Sequence, residues 1–116
     1  MASNNPSKLL VLWTTRDKTT ALNMVFMYSI NAMKKGWFDE VTLLIWGASH
    51  ELVAADEEIQ AKIGEALDRG VRVIACKRCA EKLDLVQKLE GLKIEVFYAG
   101  EFLSEWLHSG NQLLSV

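Results

Sequence analysis

The sequence predicts an α/β fold, a three-layer α/β/α sandwich built around a five-stranded, mostly parallel sheet. Two observations support this prediction. Short continuous apolar runs, typical of strands buried on both faces, recur along the chain. Stretches with helical periodicity separate them. Since 116 residues correspond to one domain with a substantial core, we expect a single domain over residues 8–116. The polar residues 1–7 are expected to form a disordered arm.

Five apolar runs are the predicted strands. They cover residues 8–13, 41–46, 71–76, 94–98 and 112–116. β-Branched and aromatic residues dominate the middle three runs, which favours strand over helix. The last run is the weakest of the five.

Four helices are predicted between these strands, over residues 20–35, 56–69, 77–90 and 101–109. The second has an apolar stripe and ends before Gly70, a typical helix stop. Asp84 lies between two leucines and is expected to divide the third helix into two short pieces. Strict alternation of strands and helices predicts a parallel sheet with helices on both faces.

The predicted helix over residues 20–35 differs from the others because its apolar residues cover nearly the whole circumference. A helix that is apolar all round is expected to be buried all round. A helix on one face of a sheet has an outer side, so burial of that side requires another subunit. The sequence therefore predicts a homo-oligomer formed through this helix. The alternative is that Met and Tyr side chains simply decorate a surface helix.

Composition and charge exclude several classes of protein. The chain has 13 basic and 15 acidic residues and a net charge of -2, which predicts neither nucleic acid nor an anionic membrane as partner. The uncharged stretch 19–33 is shorter than the ~20 residues of a membrane span, and no signal peptide is evident. We therefore expect a cytoplasmic protein. The glycine-rich nucleotide-binding motifs are also absent from the sequence.

Residues that follow the predicted strands define a candidate binding edge, because ligands bind at the carboxyl ends of parallel strands. This edge comprises Thr14, Thr15, Arg16, Asp17, Gly47, His50 and Gly100. The hydroxyl-rich segment 14–20 could hold a phosphate at a helix N-terminus, or Asp17 or Thr19 could simply cap that helix. His50 could act as a base or ligand, although a lone loop histidine is usually solvated.

Cys76 ends the third predicted strand and precedes a helix. The helix N-terminus and the adjacent Lys77 and Arg78 would stabilise a thiolate, the form that attacks electrophilic sulfur. The alternative is that Cys76 is a small core residue at the end of a strand.

Cys76 and Cys79 together form a C-x-x-C motif, which serves thiol–disulfide exchange or half of a zinc site. A zinc site needs two more ligands, and the chain offers only His50 and His108. His108 is expected to be solvated, so we predict no metal and no cofactor. Cys79 lies on the apolar stripe of its predicted helix and is expected to be buried.

Three stretches resemble the DsrE/DsrF/TusD-like (DsrEFH) sulfur-relay family. Residues 70–76 (GVRVIAC) resemble the family's strand that ends in its sulfur-carrying Cys. Residues 92–100 are similar to the following strand, and residues 102–110 resemble its C-terminal L-x-x-x-L-x-x-G ending. The resemblance covers nearly the whole chain, from about residue 8 to residue 116.

This resemblance implies a DsrEFH-like α/β sandwich that assembles into homotrimers, homohexamers or mixed hexamers. It also implies that sulfur passes as a persulfide on Cys76, between protein donors and acceptors. The chain departs from the family pattern at residues 47–53 (GASHELV), where the family more often has a Gly-Asp-Gly-Val-type loop. Cys79 is a second departure, since the family's sulfur carriers need no further thiol there.

Three functions are thus expected. In the first, the chain is a sulfur carrier or sulfurtransferase on Cys76, with Cys79 as a resolving thiol that releases sulfur by closing a disulfide. In the second, it is a non-catalytic oligomeric module that binds a small ligand, and Cys76 is structural. In the third, Cys76 and Cys79 form a thiol redox switch.

Overall fold

The computed structural model describes residues 7–116. Residues 1–6, most of the predicted disordered arm over residues 1–7, lie outside the described part. Ser7, the last residue of that arm, joins the fold: its backbone N–H donates to the Asp39 carboxylate at 3.0 Å, and its carbonyl accepts from the Asp39 N–H at 2.9 Å.

The predicted five-stranded sheet is confirmed, and all of its strands are parallel. The strands are β1 (Lys8–Trp13), β2 (Glu40–Ile45), β3 (Arg72–Cys76), β4 (Glu95–Phe97) and β5 (Gln112–Ser115). Their spatial order is β4-β3-β2-β1-β5, so the first and last strands of the chain are neighbours. In this register Leu10 of β1 lies between Thr42 of β2 and Leu113 of β5.

Six helices surround the sheet in the described part of the chain. α1 has three consecutive segments: an α-helical turn (Lys18–Thr20), a π-helical stretch (Ala21–Phe26) and a second α-helical segment (Met27–Lys34). The others are α2 (Ser49–Ala55), α3 (Glu57–Asp68), α4 (Lys77–Lys82), α5 (Val86–Gly91) and α6 (Gly100–Ser109). Asp84 separates α4 from α5 with a φ of 56°, as the sequence predicted. None of the described helices is long and apolar enough to cross a membrane.

α2 corrects the sequence prediction, which placed residues 47–51 in a loop. The side-chain Oγ of Ser49 donates a hydrogen bond to the Trp13 carbonyl at 2.6 Å, so the start of α2 is tied to the end of β1. Ser49 and His50 are fully buried. His50 was expected to be solvated, whereas here the backbone carbonyls of Trp13 and Cys76, on other strands, give Ser49 and His50 partners.

α1 is buried on one side within the single chain. Ala21, Val25, Phe26 and Ile30 pack into the core, whereas Met27 is 53% exposed. This exposed outer side is what the sequence predicted for an apolar helix on one face of a sheet, and its burial by another subunit through residues 20–35 remains a prediction.

The two faces of the sheet are covered very differently. One face packs against α1, α2, α3, α4 and α5, and we call it the helix-rich face. The other packs against α6, with Cys79 of α4 also in contact, and we call it the open face. The chain order explains the difference. β1 to β4 lie side by side in sequence, and successive crossovers of one hand place their helices on one side. Only the return from β4 to β5 runs across the opposite side.

Candidate functional site

The candidate site lies where the connections after two neighbouring strands diverge. The chain leaving β3 leads to α4 and α5, whose Ala80 and Leu89 pack on the helix-rich face. The chain leaving β4 leads to α6, whose Phe102 and Trp106 pack on the open face. Ligands of open α/β sheets bind in the crevice formed at such a divergence, outside the carboxyl ends of the strands. Cys76 occupies this position, paired in register with Phe97 of β4.

The Cys76 side chain points to the open face, because residues alternate between faces along β3. It packs in a cluster with Leu10, Leu44, Ile74 and Ala99. Only 4% of Cys76 is exposed. The thiol is therefore at the predicted edge of the sheet but sealed by apolar neighbours, as the core-residue alternative expected.

Cys79 lies three residues further along, on α4, and is partly exposed. It contacts the same open-face cluster as Cys76. It also lines a surface pocket of about 250 Å³ with Gly47, Ala48, Glu51, Lys82 and Leu83. The expectation that Cys79 is buried is wrong: the apolar stripe of α4 meets a pocket, and Cys79 is the more accessible of the two thiols.

Burial and three neighbouring groups set the acidity of Cys79. Burial is the main reason that its pKa lies above the ordinary thiol value of 9.0, and the neighbouring Cys76 thiol raises that pKa further. A hydrogen bond from the Gly47 backbone and the charge of Lys82 both lower the pKa. Both thiols contact the same open-face cluster. Gly47 adopts a φ of 71°, which favours glycine, at the turn that brings its N–H to the Cys79 sulfur.

His50 links the two loops that carry these contacts. Its Nδ1 lies 2.9 Å from the Gly47 carbonyl oxygen, and its Nε2 lies 3.0 Å from the Cys76 carbonyl oxygen. The residue is completely buried, so the expectation of a solvated loop histidine is wrong. Burial lowers the pKa of His50 more than the Cys76 and Gly47 carbonyls raise it. A neutral ring donates one N–H, so one of these carbonyls receives a hydrogen bond at a time.

Lys77 and Arg78, which were predicted to stabilise the Cys76 thiolate, lie beside Tyr98. No sequence pattern had singled out Tyr98. The Lys77 ammonium lies 5.4 Å from the centre of the Tyr98 ring. The Tyr98 hydroxyl donates to the Glu81 carboxylate at 2.8 Å. This hydrogen bond is the main cause of the raised pKa of Tyr98, while the charge of Arg78 lowers that pKa. Its position directly after β4 is the signal that could have placed Tyr98 at the candidate edge.

The Thr-rich segment after β1 is engaged within the fold. Asp17 caps α1, accepting from the Thr20 backbone N–H at 2.8 Å, which is the capping role weighed against a phosphate site. The Thr15 hydroxyl accepts from the Asp17 N–H at 3.1 Å. Thr14 donates through its backbone N–H to the Val116 carbonyl at 2.7 Å. Arg16 forms an ion pair with Glu51 at 2.9 Å, beside the Cys79 pocket.

The two remaining predicted positions lie at opposite ends of α6. Gly100 is the first residue of α6, directly after the buried Ala99 that touches the Cys76 cluster. His108 is exposed in the last turn of the same helix. Within residues 7–116, no group of three His, Cys, Asp or Glu side chains is arranged to hold a metal ion.

Comparisons with known proteins place this geometry among solved structures. No family model and no curated protein matches the chain. The structure of a conserved protein of unknown function, BT1422 from Bacteroides thetaiotaomicron, has a TM-score of 0.93 and 39% sequence identity, over 95% of both chains. MTH1491 from Methanobacterium thermoautotrophicum, also of unknown function, has a TM-score of 0.78 at 15% identity, over 95% of this chain and 99% of its own.

The ychN protein from E. coli has a TM-score of 0.67 at 14% identity, over 97% of this chain and 100% of its own. At such low identity, the similarity to MTH1491 and ychN is evidence of a shared fold alone.

Proposed function

The chain belongs to the same family as BT1422, and we propose that it carries sulfane sulfur as a persulfide on Cys76. The observation that carries the proposal is the pair of thiols, Cys76 and Cys79, which contact one apolar cluster at the carboxyl end of β3, where the connections after β3 and β4 diverge. The resemblance of residues 70–76 to the DsrE/DsrF/TusD-like strand and its sulfur-carrying Cys supports the same assignment.

The transfer step is an exchange between sulfur atoms. The Cys76 thiolate attacks the terminal sulfur of a donor persulfide, R–S–SH. A bond forms between the Cys76 Sγ and that sulfur, the donor S–S bond breaks, and R–S⁻ leaves. The products are Cys76–S–SH and the donor thiolate, so the step needs no outside oxidant or reductant. Delivery to an acceptor repeats the exchange in the other direction.

The burial of Cys76 suits storage. Leu10, Leu44 and Ile74, all fully buried, surround the thiol on the open face. A persulfide there is kept away from solvent and from other thiols, which would otherwise remove the sulfur.

The same burial favours the second candidate function, a ligand-binding module in which Cys76 is structural. A thiol that is only 4% exposed is commonly an inert core residue. In that case the pocket beside Cys79 would hold a small molecule without sulfur transfer.

Persulfide loading followed by intact mass measurement separates these functions. We expect the reduced protein, incubated with a persulfide donor, to gain one sulfur atom that a reducing agent removes. The Cys76→Ser variant should store none stably. If the wild-type protein gains no sulfur, or Cys76→Ser stores as much as wild type, the sulfur-carrier proposal fails and the binding-module function is favoured.

Self-association is a further part of the proposal. Met27, on the outer side of α1, is 53% exposed, and Trp37, in the turn after α1, is 48% exposed. The centre of the Trp37 ring lies 5.6 Å from that of Tyr28. Apolar side chains of this size are rarely left in solvent together, and a second copy of the chain would cover them. Light scattering should give an oligomeric mass for the wild-type protein and a smaller mass for Met27→Glu. An unchanged oligomer in Met27→Glu would contradict the role of α1.

A further inference from the structure

The two thiols differ in solvent access, and this difference indicates the order in which sulfur reaches them. Cys76 is sealed in the open-face cluster, whereas Cys79 is partly exposed and lines the pocket with Gly47, Ala48 and Lys82. A donor molecule approaching from solvent meets Cys79 first. The donor would reach Cys76 only if the packed cluster of Leu10, Leu44, Ile74 and Ala99 opened.

We propose that Cys79 is the receiving thiol, a catalytic residue that takes sulfane sulfur from a small carboxylate-bearing persulfide in this pocket and passes it to Cys76. This inference rests on the proposed sulfur-carrier function. It reverses the role expected for Cys79, from a thiol that releases sulfur to the thiol through which sulfur enters.

The pocket suits a small donor of this class. Its volume of about 250 Å³ has room for an amino-acid-sized group, and its lining includes Ala48 and Leu83. Lys82 provides a positive charge for a donor carboxylate, since Glu51, the acidic residue of the lining, is paired with Arg16. Burial and Cys76 raise the pKa of Cys79 overall, and the Gly47 backbone hydrogen bond and the Lys82 charge oppose that rise at the pocket.

The sequence of steps balances without another reactant. The Cys79 thiolate attacks the terminal sulfur of R–S–SH, the donor S–S bond breaks, and R–S⁻ leaves the pocket. The Cys76 thiolate then attacks the terminal sulfur on Cys79. A bond forms from Cys76 Sγ to that sulfur, the bond to Cys79 Sγ breaks, and Cys79 returns to its thiolate. Cys76 directly precedes α4, Cys79 lies in its first turn, and both contact the same open-face cluster, which favours this second exchange.

Time-resolved loading with cysteine persulfide tests this order, and the sequence makes the two sites separable. Lys77 and Arg78 lie between the cysteines, so trypsin releases Cys76 and Cys79 in different peptides. We expect sulfur to appear first on the Cys79 peptide and then on the Cys76 peptide. In Cys79→Ser, loading of Cys76 should slow by roughly tenfold or more, because the donor must reach a buried thiol. In Cys76→Ser, sulfur should appear on Cys79 only transiently, because it cannot pass on to the sealed thiol and the more accessible Cys79 loses it to other thiols.

A pocket variant provides a test that leaves both thiols in place. Ala48→Leu narrows the pocket and should slow loading of Cys79, whereas Ala55→Leu, at the exposed other end of α2, is the matched control. Melting temperatures measured for each variant separate a blocked pocket from a damaged fold.

The outcomes distinguish this inference from the proposed function. If Cys79→Ser loads Cys76 as fast as wild type, or if the Cys76 peptide gains sulfur first, the receiving role of Cys79 is overturned and the sulfur-carrier function stands. If wild type loads on neither cysteine, the sulfur-carrier function itself fails. In that case alkylation with a maleimide still measures access, and faster alkylation of Cys76 than of Cys79 would overturn the order of access as well.

Discussion

The two faces of the sheet are covered unequally. The more heavily covered face holds the larger part of the core, and the less covered face carries both cysteines. On the helix-rich face, Trp13, Phe26 and Ile63 are at most 1% exposed in a core covered by α1 to α5. On the open face, a buried centre is bordered by partly exposed side chains such as Trp46, Phe97 and Trp106, and α6 is the main cover. Both cysteines contact the open face. We infer that the helix-rich face holds the fold together, while the thinner cover of the open face leaves room for exchange reactions.

The largest expected effect comes from removing one aromatic ring from each face. Phe26→Ala should cost about 3–5 kcal/mol, because it leaves a cavity beneath α1 and removes the edge contact with Trp13 at 5.2 Å. Phe102→Ala on α6 should cost about 1–2 kcal/mol, because its ring is already partly exposed and solvent can fill the space. Urea unfolding followed by circular dichroism gives both values. Equal losses would contradict the assignment of stability to the helix-rich face.

His50 tests the connection between the two strand ends at the site. His50→Gln should cost about 1–3 kcal/mol, because a buried backbone carbonyl, of Gly47 or Cys76, is left with a poorer partner. The wild-type protein should also lose stability as the pH falls below 6.5, the ordinary pKa of the group. The pKa of His50 is lowered in the fold, so the unfolded chain binds the proton more readily in this range.

Urea unfolding between pH 6.5 and about 5 isolates this effect, because most carboxylates titrate lower. His50→Gln should remove that part of the pH dependence, and His108→Gln, which changes an exposed histidine, serves as the control. If the free energy of unfolding of the wild-type protein stays constant over this range, protonation of the buried His50 ring does not control it.

A smaller effect concerns the acidity of Cys79 on the open face. Cys76→Ser removes the neighbouring thiol that raises the pKa of Cys79. Alkylation of Cys79 at neutral pH should therefore accelerate by roughly two- to fivefold. Lys82→Met should slow alkylation, because the lysine charge lowers the same pKa, and Lys88→Met on the exposed side of α5 is the matched control. Rates measured across pH give the pKa in each variant, and identical values would mean that the thiols do not interact.

The smallest effect is expected for the ion pair between β3 and β4 on the open face. Arg72 donates to both carboxylate oxygens of Glu95, at 2.7 and 2.9 Å, but both side chains are 48% exposed. Arg72→Met should therefore cost less than about 1 kcal/mol, and less still at high salt. Because Arg72 lowers the pKa of Glu95, this contribution is present above pH 4.5 and is lost in acid. A loss as large as that for Phe26→Ala would contradict the low value assigned to this pair.

Most of the fold could be predicted because its signals are local. β1 runs from Lys8 to Trp13, as its apolar run predicted, and the break at Asp84 is where a charge interrupts two leucines. Patterns of this kind lie within a short window of sequence, so they can be identified without knowing the tertiary structure. α2 was missed because its first two residues, Ser49 and His50, are polar, and their burial depends on carbonyls of Trp13 and Cys76 far away in the sequence.

The candidate site could be predicted in position but not in arrangement. By itself the sequence determined the alternation of strands and helices, and placed Cys76 at the carboxyl end of β3, because apolar periodicity and chain order specify both. Only the tertiary structure decided that Cys76 is sealed, that Cys79 faces a pocket and that His50 joins their loops. Exposure depends on which distant segments cover a side chain, and here that cover follows from the return of the chain across the open face to place β5 beside β1.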